Sequence, residues 1–132
     1  GSTFWTEGCL YPEGTIAGDG FVPTREGQIG TFFCRGHLLV HPGRGEPHLA
    51  THQEYYLGEL ETPLLGDMLG SEGIEGSNET TWESMRMVTG GTGAYRGARG
   101  QVLQHQFSVN STLDGFGNPA PNFRFEFDID LP

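Results

Sequence analysis

Glu54 and Tyr56 are the residues whose types and spacing best suit chemistry in this chain. They lie two positions apart in a segment, 49–61, that predicts a β-strand, so both side chains point to one face. A tyrosine hydroxyl can donate a hydrogen bond to a carbonyl, and a desolvated glutamate can take or give a proton. We therefore expect this pair to be catalytic. The alternative is that Glu54 is an outer-face residue held in an ion pair.

His52 shares the face of Glu54 and is expected to contact the substrate. Both faces of segment 49–61 mix polar and apolar residues, so one is predicted to line a polar cavity and the other to meet a neighbouring subunit.

The chain holds 5 His. His37 and His41 are four positions apart, which on a strand separates them by about 13 Å. That is too far for one metal ion, and we predict no metal site.

A glycine-rich stretch, residues 88–100 (VTGGTGAYRGARG), raises the possibility of a phosphate-binding loop. The spacing excludes it, because the third glycine of a G-x-G-x-x-G pattern starting at Gly91 would fall on Arg96. The chain also has no lysine for a P-loop. The segment that follows, 101–109, is rich in β-formers and carries no helical apolar stripe. The stretch therefore predicts a tight connection between two strands.

Composition limits the fold and the partners. With 132 residues the chain predicts one domain, 3–132, after a tag remnant expected at Gly1 and Ser2. The formal net charge of −10 argues against nucleic acid and anionic membrane as partners. No signal peptide or membrane-length apolar run is visible, so we expect a cytoplasmic protein. Seven arginines without lysine suggest a high-GC, bacterial source.

The remaining signals are weaker. Cys9 and Cys34 are compatible either with one disulfide or with two free thiols. Asn78 and Asn110 match the short glycosylation pattern, which has little meaning unless the protein is secreted. Arg86, Arg99 and Arg124 could bind an acidic head group, although single arginines on exposed strand faces are more often solvated or paired.

Hydrophobic patterning predicts an all-β domain. The last strand is the clearest, because Phe123, Phe125 and Phe127 alternate with Arg124 and Glu126. Turn signals recur along the chain without helical patterns between them, which favours an antiparallel barrel or sandwich. The predicted strands are 3–10, 29–41, 49–61, a weaker 68–76, 80–89, 99–108 and 123–131, with a turn-rich connection at 113–121.

Aromatic residues are numerous enough to form the walls of a binding cavity. Cys34 is expected either to line that cavity or to belong to the core. The aromatic residues predicted to bind substrate are Trp5, Phe32, Trp82, Phe107 and Phe125.

Several motifs together resemble the allene oxide cyclase and dirigent superfamily. Residues 88–93 (VTGGTG), followed by 96–100 (RGARG), resemble its V-T/V-G-G-[ST]-G signature. Residues 55–59 (YYLGE) resemble the F-Y-F-G-D segment of the cyclases, and 30–34 (GTFFC) resemble their glycine-bearing strand. The resemblance covers about residues 28–108.

The resemblance implies an eight-stranded antiparallel β-barrel with an apolar, ligand-sized cavity and no cofactor. It places Tyr56 at the family's pocket tyrosine and Glu7 at a carboxylate of the first strand, although the residues around Glu7 do not match. The implied function is a cyclase or isomerase that folds a linear polyene, expected to be a polyketide, for ring formation such as a [4+2] cycloaddition. The alternatives are a non-catalytic dirigent-type or lipocalin-like binder and a structural secreted barrel. A homo-oligomer, dimer or trimer, is expected.

Overall fold

The computed structural model describes residues 3–39, 48–76, 81–114 and 117–132. It is an all-β structure with two single-turn 3-10 helices, at Pro63–Leu65 and Gly93–Tyr95. The strands are β1 (Thr3–Leu10), β2 (Gly30–Leu39), β3 (His48–Leu57), β4 (Asp67–Glu75), β5 (Trp82–Gly91), β6 (Arg99–Leu113) and β7 (Pro119–Asp130).

The seven strands form one antiparallel sheet in which each strand pairs with its neighbours along the chain. The sheet curls into a half-barrel, so that rings of β2 and β3 meet rings of β7 across the interior: Phe32 lies 5.4 Å from Phe125, and Tyr55 lies 5.0 Å from Phe127. The described strands number seven, and β1 and β7 are not hydrogen-bonded to each other. Closure by an eighth strand stays a prediction.

Several predicted strand ends differ from the structure. The third strand stops at Leu57, because Gly58 (φ 78°) and Glu59 (φ 43°) turn the chain through the left-handed region. The sixth strand continues to Leu113 and the last begins at Pro119, so both ends of the predicted connection at 113–121 are strand residues. The part of the second predicted strand at 40–41 lies outside the described residues.

The glycine-rich stretch is the predicted strand connection. It ends β5 at Gly91, makes the short 3-10 turn, and enters β6 at Arg99. Gly91 admits no side chain, since a Cβ there would lie 2.5 Å from the Tyr95 carbonyl oxygen and 2.6 Å from that of Met68. Gly93 has φ 57° and packs against Asp67. These glycines allow the close backbone approach that the turn needs.

Strand alternation divides the sheet into an inner face, which lines the curl, and an outer face. The phenylalanines of β7 lie on the inner face, as their spacing predicted, and Arg124 and Glu126 lie outside. The buried apolar cluster consists of Phe32, Cys34, Tyr55, Leu69, Val88 and Ala98, with Phe125 and Ile129 packed on it. Burying each large side chain stabilises the fold by about 1.5–3 kcal/mol.

The connection between β1 and β2 reaches across to the far side of the sheet. The Gly20 amide donates to the carbonyl of Val109, and the Ser111 amide donates to that of Phe21. The Asp19 carboxylate accepts a hydrogen bond from the Val109 amide at 3.0 Å. We call these contacts of residues 19–21 with 109–111 the latch.

Candidate functional site: a groove on the outer face

Strand register builds a row of functional side chains on the outer face. Trp5 of β1 lies opposite Arg35 of β2, Arg35 opposite His52 of β3, and His52 opposite Glu72 of β4. The next outward row is Glu7, Phe33 and Glu54. Because side chains alternate between faces, the residues of both rows project to the same side of the sheet.

A groove runs along this row. The Trp5–Glu72 row is separated from a further outward row, which contains His37 and Ile74, by an inner-face row in which Gly36 and Gly73 lie opposite Thr51 on its two sides. The groove has a volume of about 550 Å³ and includes Trp5, Arg35, His37, His52, Glu72 and Ile74 in its walls. A smaller hollow of about 160 Å³ adjoins it and shares Trp5 and Arg35, adding Phe33, Glu54 and Tyr56. We call the two together the outer groove.

Glu54 is the centre of a hydrogen-bonded chain in the outer groove. Its Oε1 accepts a short hydrogen bond from the Arg35 guanidinium, and its Oε2 accepts one from the Tyr56 hydroxyl at 3.0 Å. The His52 Nε2 lies 3.6 Å from Oε1. The alternative weighed from the sequence, an outer-face glutamate in an ion pair, therefore describes Glu54 correctly, and the same contacts join it to Tyr56 and His52.

The His52 ring connects two carboxylates. Its Nδ1 lies 2.7 Å from Oε1 of Glu72, and its other nitrogen faces Glu54. An imidazole held at both nitrogens keeps one orientation, and hydrogen bonding at one nitrogen determines which tautomer presents the other. His52 is therefore a positioned acid–base group beside the groove, with its side chain 24% exposed.

The contacts of Glu54 and Tyr56 set their ionisation in opposite directions. Burial by itself raises the pKa of Glu54, but hydrogen bonds from Arg35 and Tyr56 and the charge of Arg35 outweigh it, leaving the pKa below its ordinary value. Burial and the hydrogen bond to Glu54 raise the pKa of Tyr56. At neutral pH the pair is thus a carboxylate and a protonated phenol.

Trp5 and Arg35 form the exposed rim of the outer groove. The Arg35 guanidinium carbon lies 5.5 Å from the centre of a Trp5 ring, within the range of a cation–π contact. Trp5 is 75% exposed, which leaves most of the indole available to a ligand. The Phe33 ring meets Tyr56 edge to face at 5.7 Å and supports the phenol from the side.

The residues predicted from the sequence are divided between the two faces. Trp5, Glu7, His52, Glu54 and Tyr56 share the outer face, and all of them except Glu7 line the outer groove.

The other predicted residues lie elsewhere. Phe32 and Cys34 belong to the core, with Phe125 packed against it. Trp82 packs on Phe123 at 5.7 Å. Phe107 stacks on His105 at 6.3 Å, away from the groove.

The inner face holds a second polar cluster, which we call the interior network. Arg86, 1% exposed, donates to Oγ of Ser71 at 2.9 Å and to Oγ1 of Thr51 at 2.7 Å. Arg86 also donates to the side-chain oxygen of Gln104 at 3.3 Å. The expectation of Arg86 on an exposed strand face is therefore wrong, because its strand position faces inward and buried oxygens satisfy its guanidinium.

Glu75 is the carboxyl group of the interior network. Gln104 donates to its Oε1 at 2.7 Å and Gln53 at 3.2 Å, while the Cys34 thiol lies 3.7 Å from Oε2. Burial raises the pKa of Glu75 despite the opposing effect of Gln104 and Arg86. Burial, followed by the charge of Glu75, raises the pKa of Cys34 to about 12.

The interior network is closed to ligands. Gln53 and Gln104 have no accessible surface, so no water-sized space adjoins their side chains. Tyr55 completes the network by donating to the Gln53 side chain at 2.5 Å, and burial raises its pKa. The polar groups here satisfy one another, as buried polar groups generally must. The open groove on the outer face is therefore the better candidate for a functional site.

Arg35 and Glu72 are site residues that the sequence did not reveal. They become neighbours of His52 and Glu54 through strand pairing, and the sequence alone does not specify which residues face each other. Glu75, Gln53 and Gln104 were also missed, because nothing in their sequence neighbourhoods distinguishes an inward polar residue from an outward one.

Both cysteines are free thiols. Within 3–39, 48–76, 81–114 and 117–132, no three His, Cys, Asp or Glu side chains converge as metal ligands. The same residues include no helix of the length and apolarity that a membrane crossing needs. No family model, curated protein or solved structure matches this chain.

Proposed function

We propose that the protein is a cofactor-independent cyclase or isomerase that binds a linear, polyene-type small molecule, such as a polyketide intermediate, in the outer groove. One observation carries this proposal: the chain of hydrogen bonds from Arg35 through Glu54 to Tyr56, with His52 beside it, lies along a groove with aromatic walls. The resemblance to allene oxide cyclases and dirigent proteins supports the same class of reaction.

The proposed mechanism uses positioning and polarisation. Trp5 and Phe33 offer flat apolar surfaces on which a conjugated chain can fold, bringing its reacting carbons into a near-attack geometry. The Arg35 guanidinium, which has five N–H donors, polarises a carbonyl of the substrate. Glu54 orients Arg35 and Tyr56, and His52 exchanges a proton when the product must tautomerise.

Ring closure also gains from a site that excludes water. The outer groove is open along the sheet, so a second subunit placed over the outer face would complete it. This is in line with the predicted dimer or trimer. Closure of the half-barrel by an eighth strand, and residence in the bacterial cytoplasm, remain part of the proposal.

A second candidate function is non-catalytic binding, and the geometry of Glu54 favours it. Both carboxylate oxygens already accept hydrogen bonds, and the lowered pKa makes Glu54 a weak base. A dirigent-type protein would use the same groove to hold one conformation of a ligand. It would show binding without any change in the rate of ring formation.

The experiment measures binding and turnover on the same protein. Linear polyenes carrying a diene and an electron-poor alkene are incubated with it, cyclic products are followed by chromatography and mass spectrometry, and binding is followed by the fluorescence of the exposed Trp5. We expect Arg35→Gln to lower kcat about a hundredfold. Glu54→Gln and Tyr56→Phe should lower it about tenfold.

The matched control is Glu126→Gln, which removes an exposed carboxylate paired with Arg124 at 3.2 Å on the outer face of β7. It should leave both binding and turnover unchanged. Binding that quenches Trp5 without product formation would support the binder. The absence of any fluorescence response in Trp5, across the polyenes tried, would exclude the outer groove as the site.

A further inference from the structure

The sheet ends in two edge strands, β1 and β7, that are not paired with each other. Among the described strands, β1 is hydrogen-bonded only to β2, and β7 only to β6. An edge strand presents a row of free N–H and C=O groups to an incoming strand. We call the space between β1 and β7 the seam.

Inner-face side chains are left uncovered along the seam. Phe127 packs edge to face on Tyr55 at 5.0 Å, yet it is 40% exposed. Thr6, opposite the buried Cys34, is exposed as well. A core aromatic side chain with this much accessible surface indicates an apolar position that another residue can cover.

The outward residues of β7 beside the seam are mainly acidic. They are Glu126, Asp128 and Asp130, together with Arg124, which is paired with Glu126 at 3.2 Å, and on β1 the outward row contributes Glu7. Opposite charges on paired strands are favourable and like charges are unfavourable. A strand entering the seam would therefore be selected for basic residues on its outward side and apolar residues on its inward side.

We propose that a partner protein supplies the eighth strand, as an extended segment in which apolar and basic residues alternate and which binds in the seam. The segment adds a strand between β1 and β7, its apolar side chains cover Phe127, and its basic side chains meet the acidic row. Pro119 and Pro121 cannot donate hydrogen bonds, which confines pairing on β7 to residues 123–130.

The composition of this chain argues against a second copy as the source of the segment. It contains seven arginines and no lysine. Nowhere in the sequence do basic residues occupy three successive alternate positions. The partner is therefore a different protein, recognised through main-chain pairing and charge, which is the mode of β-strand addition.

The test uses capped octapeptides with the full chain and site-resolved hydrogen exchange. A peptide of alternating valine and arginine should bind and protect the amides of β1 and of residues 123–130. A peptide of alternating valine and glutamate should bind at least tenfold more weakly. The basic peptide with N-methyl groups on every amide should fail to protect either edge, because it has no N–H groups to donate to the ladder.

Two charge variants separate the seam from general attraction to an acidic protein. The double substitution Asp128→Asn with Asp130→Asn should weaken binding of the basic peptide several-fold. Phe127→Ser should weaken binding of both peptides. The control, Glu72→Gln with Glu83→Gln, makes the same change in net charge on central strands and should have no effect. Equal binding of the two charged peptides, or protection confined to other strands, would overturn the proposal. Protection of the β1 and β7 amides from exchange in the protein without peptide would also overturn it, whether or not that protection depends on protein concentration.

Discussion

Glu75 is a carboxyl group buried among amide and thiol donors, and it makes the stability of the protein depend on pH. Its pKa is raised in the folded state, so above about pH 4.3 the native protein retains a proton that the unfolded chain has lost. The contribution to stability is full below that pH and is lost as the pH rises through the folded pKa.

We expect Glu75→Gln to remove this dependence. Glutamine keeps the shape of the protonated acid and still accepts from Gln53 and Gln104. The free energy of unfolding of the variant, measured by urea denaturation at several pH values, should increase relative to that of the native protein as the pH rises above about 4.3. Glu13→Gln, at an exposed position of the connection between β1 and β2, is the control and should show no such trend. A parallel pH profile for Glu75→Gln and the native protein would contradict the assignment.

The two thiols should differ sharply in reactivity. Cys34 is 4% exposed and its pKa is raised to about 12, so almost no thiolate exists at neutral pH. Cys9 is half-buried on the outer row of β1. Titration with an aromatic disulfide reagent should count one thiol in the folded protein and two in denaturant, and Cys9→Ser should reduce the native count to zero. Rapid reaction of Cys34 in the folded protein would show that the interior opens.

The site was predictable in part, and β3 shows the limit. The two-residue spacing of Glu54 and Tyr56 correctly placed both on one face, with His52 beside them. The sequence did not show which face of β3 is buried, because the buried face carries Thr51 and Gln53 and is as polar as the exposed face. Apolar patterning identifies a buried face only when the buried face is apolar, and the interior network breaks that condition.

Among the larger elements, the β5–β6 connection depends on glycine at one position above all. A side chain at Gly91 meets two carbonyl oxygens at 2.5 and 2.6 Å, and backbone atoms cannot move aside as a flexible side chain can. Gly91→Ala should lower the free energy of unfolding by about 2–3 kcal/mol, and Gly91→Val by more. Thermal and urea denaturation measure both.

Gly18 supplies the control for that substitution. A Cβ added there would meet no atom within 4 Å, and its φ is not left-handed, so Gly18→Ala should change stability by less than about 0.5 kcal/mol. A Gly91→Ala variant as stable as Gly18→Ala would contradict the packing described at the turn. A Gly91 variant that remains stable but loses turnover would instead show that the turn between β5 and β6 contributes to the functional site.

Strand identities followed from the sequence better than strand ends did. The alternation of Phe123, Phe125 and Phe127 correctly identified the inner face of β7. The end of β3 was wrong by four residues, since the backbone turns at Gly58 and Glu59 and a φ above zero at a glutamate has no signature in the sequence. The bulge at Gly70 and Ser71 was equally unpredictable from patterning.

In the molecule as a whole, stability and ligand binding depend on different residues. The residues of the interior network hydrogen-bond to one another and stabilise the curl of the sheet, while the exposed residues of the outer groove are available to a ligand. Substitutions in the groove should therefore change binding with little loss of stability, and those in the network the reverse. The number of strands in the barrel could not be predicted from the sequence. Hydrophobic patterning identifies individual strands, but it does not show how many strands close a barrel.

The latch between residues 19–21 and 109–111 has a consequence for the order of folding. Every strand pair joins neighbours along the chain, so the sheet can grow one hairpin at a time through local contacts, which form fast. Asp19 and Val109 are 90 positions apart, and their hydrogen bond has no partner strand until β6 exists. During synthesis, the first long loop must wait until β6 has emerged before it docks, which makes its docking a late step of assembly.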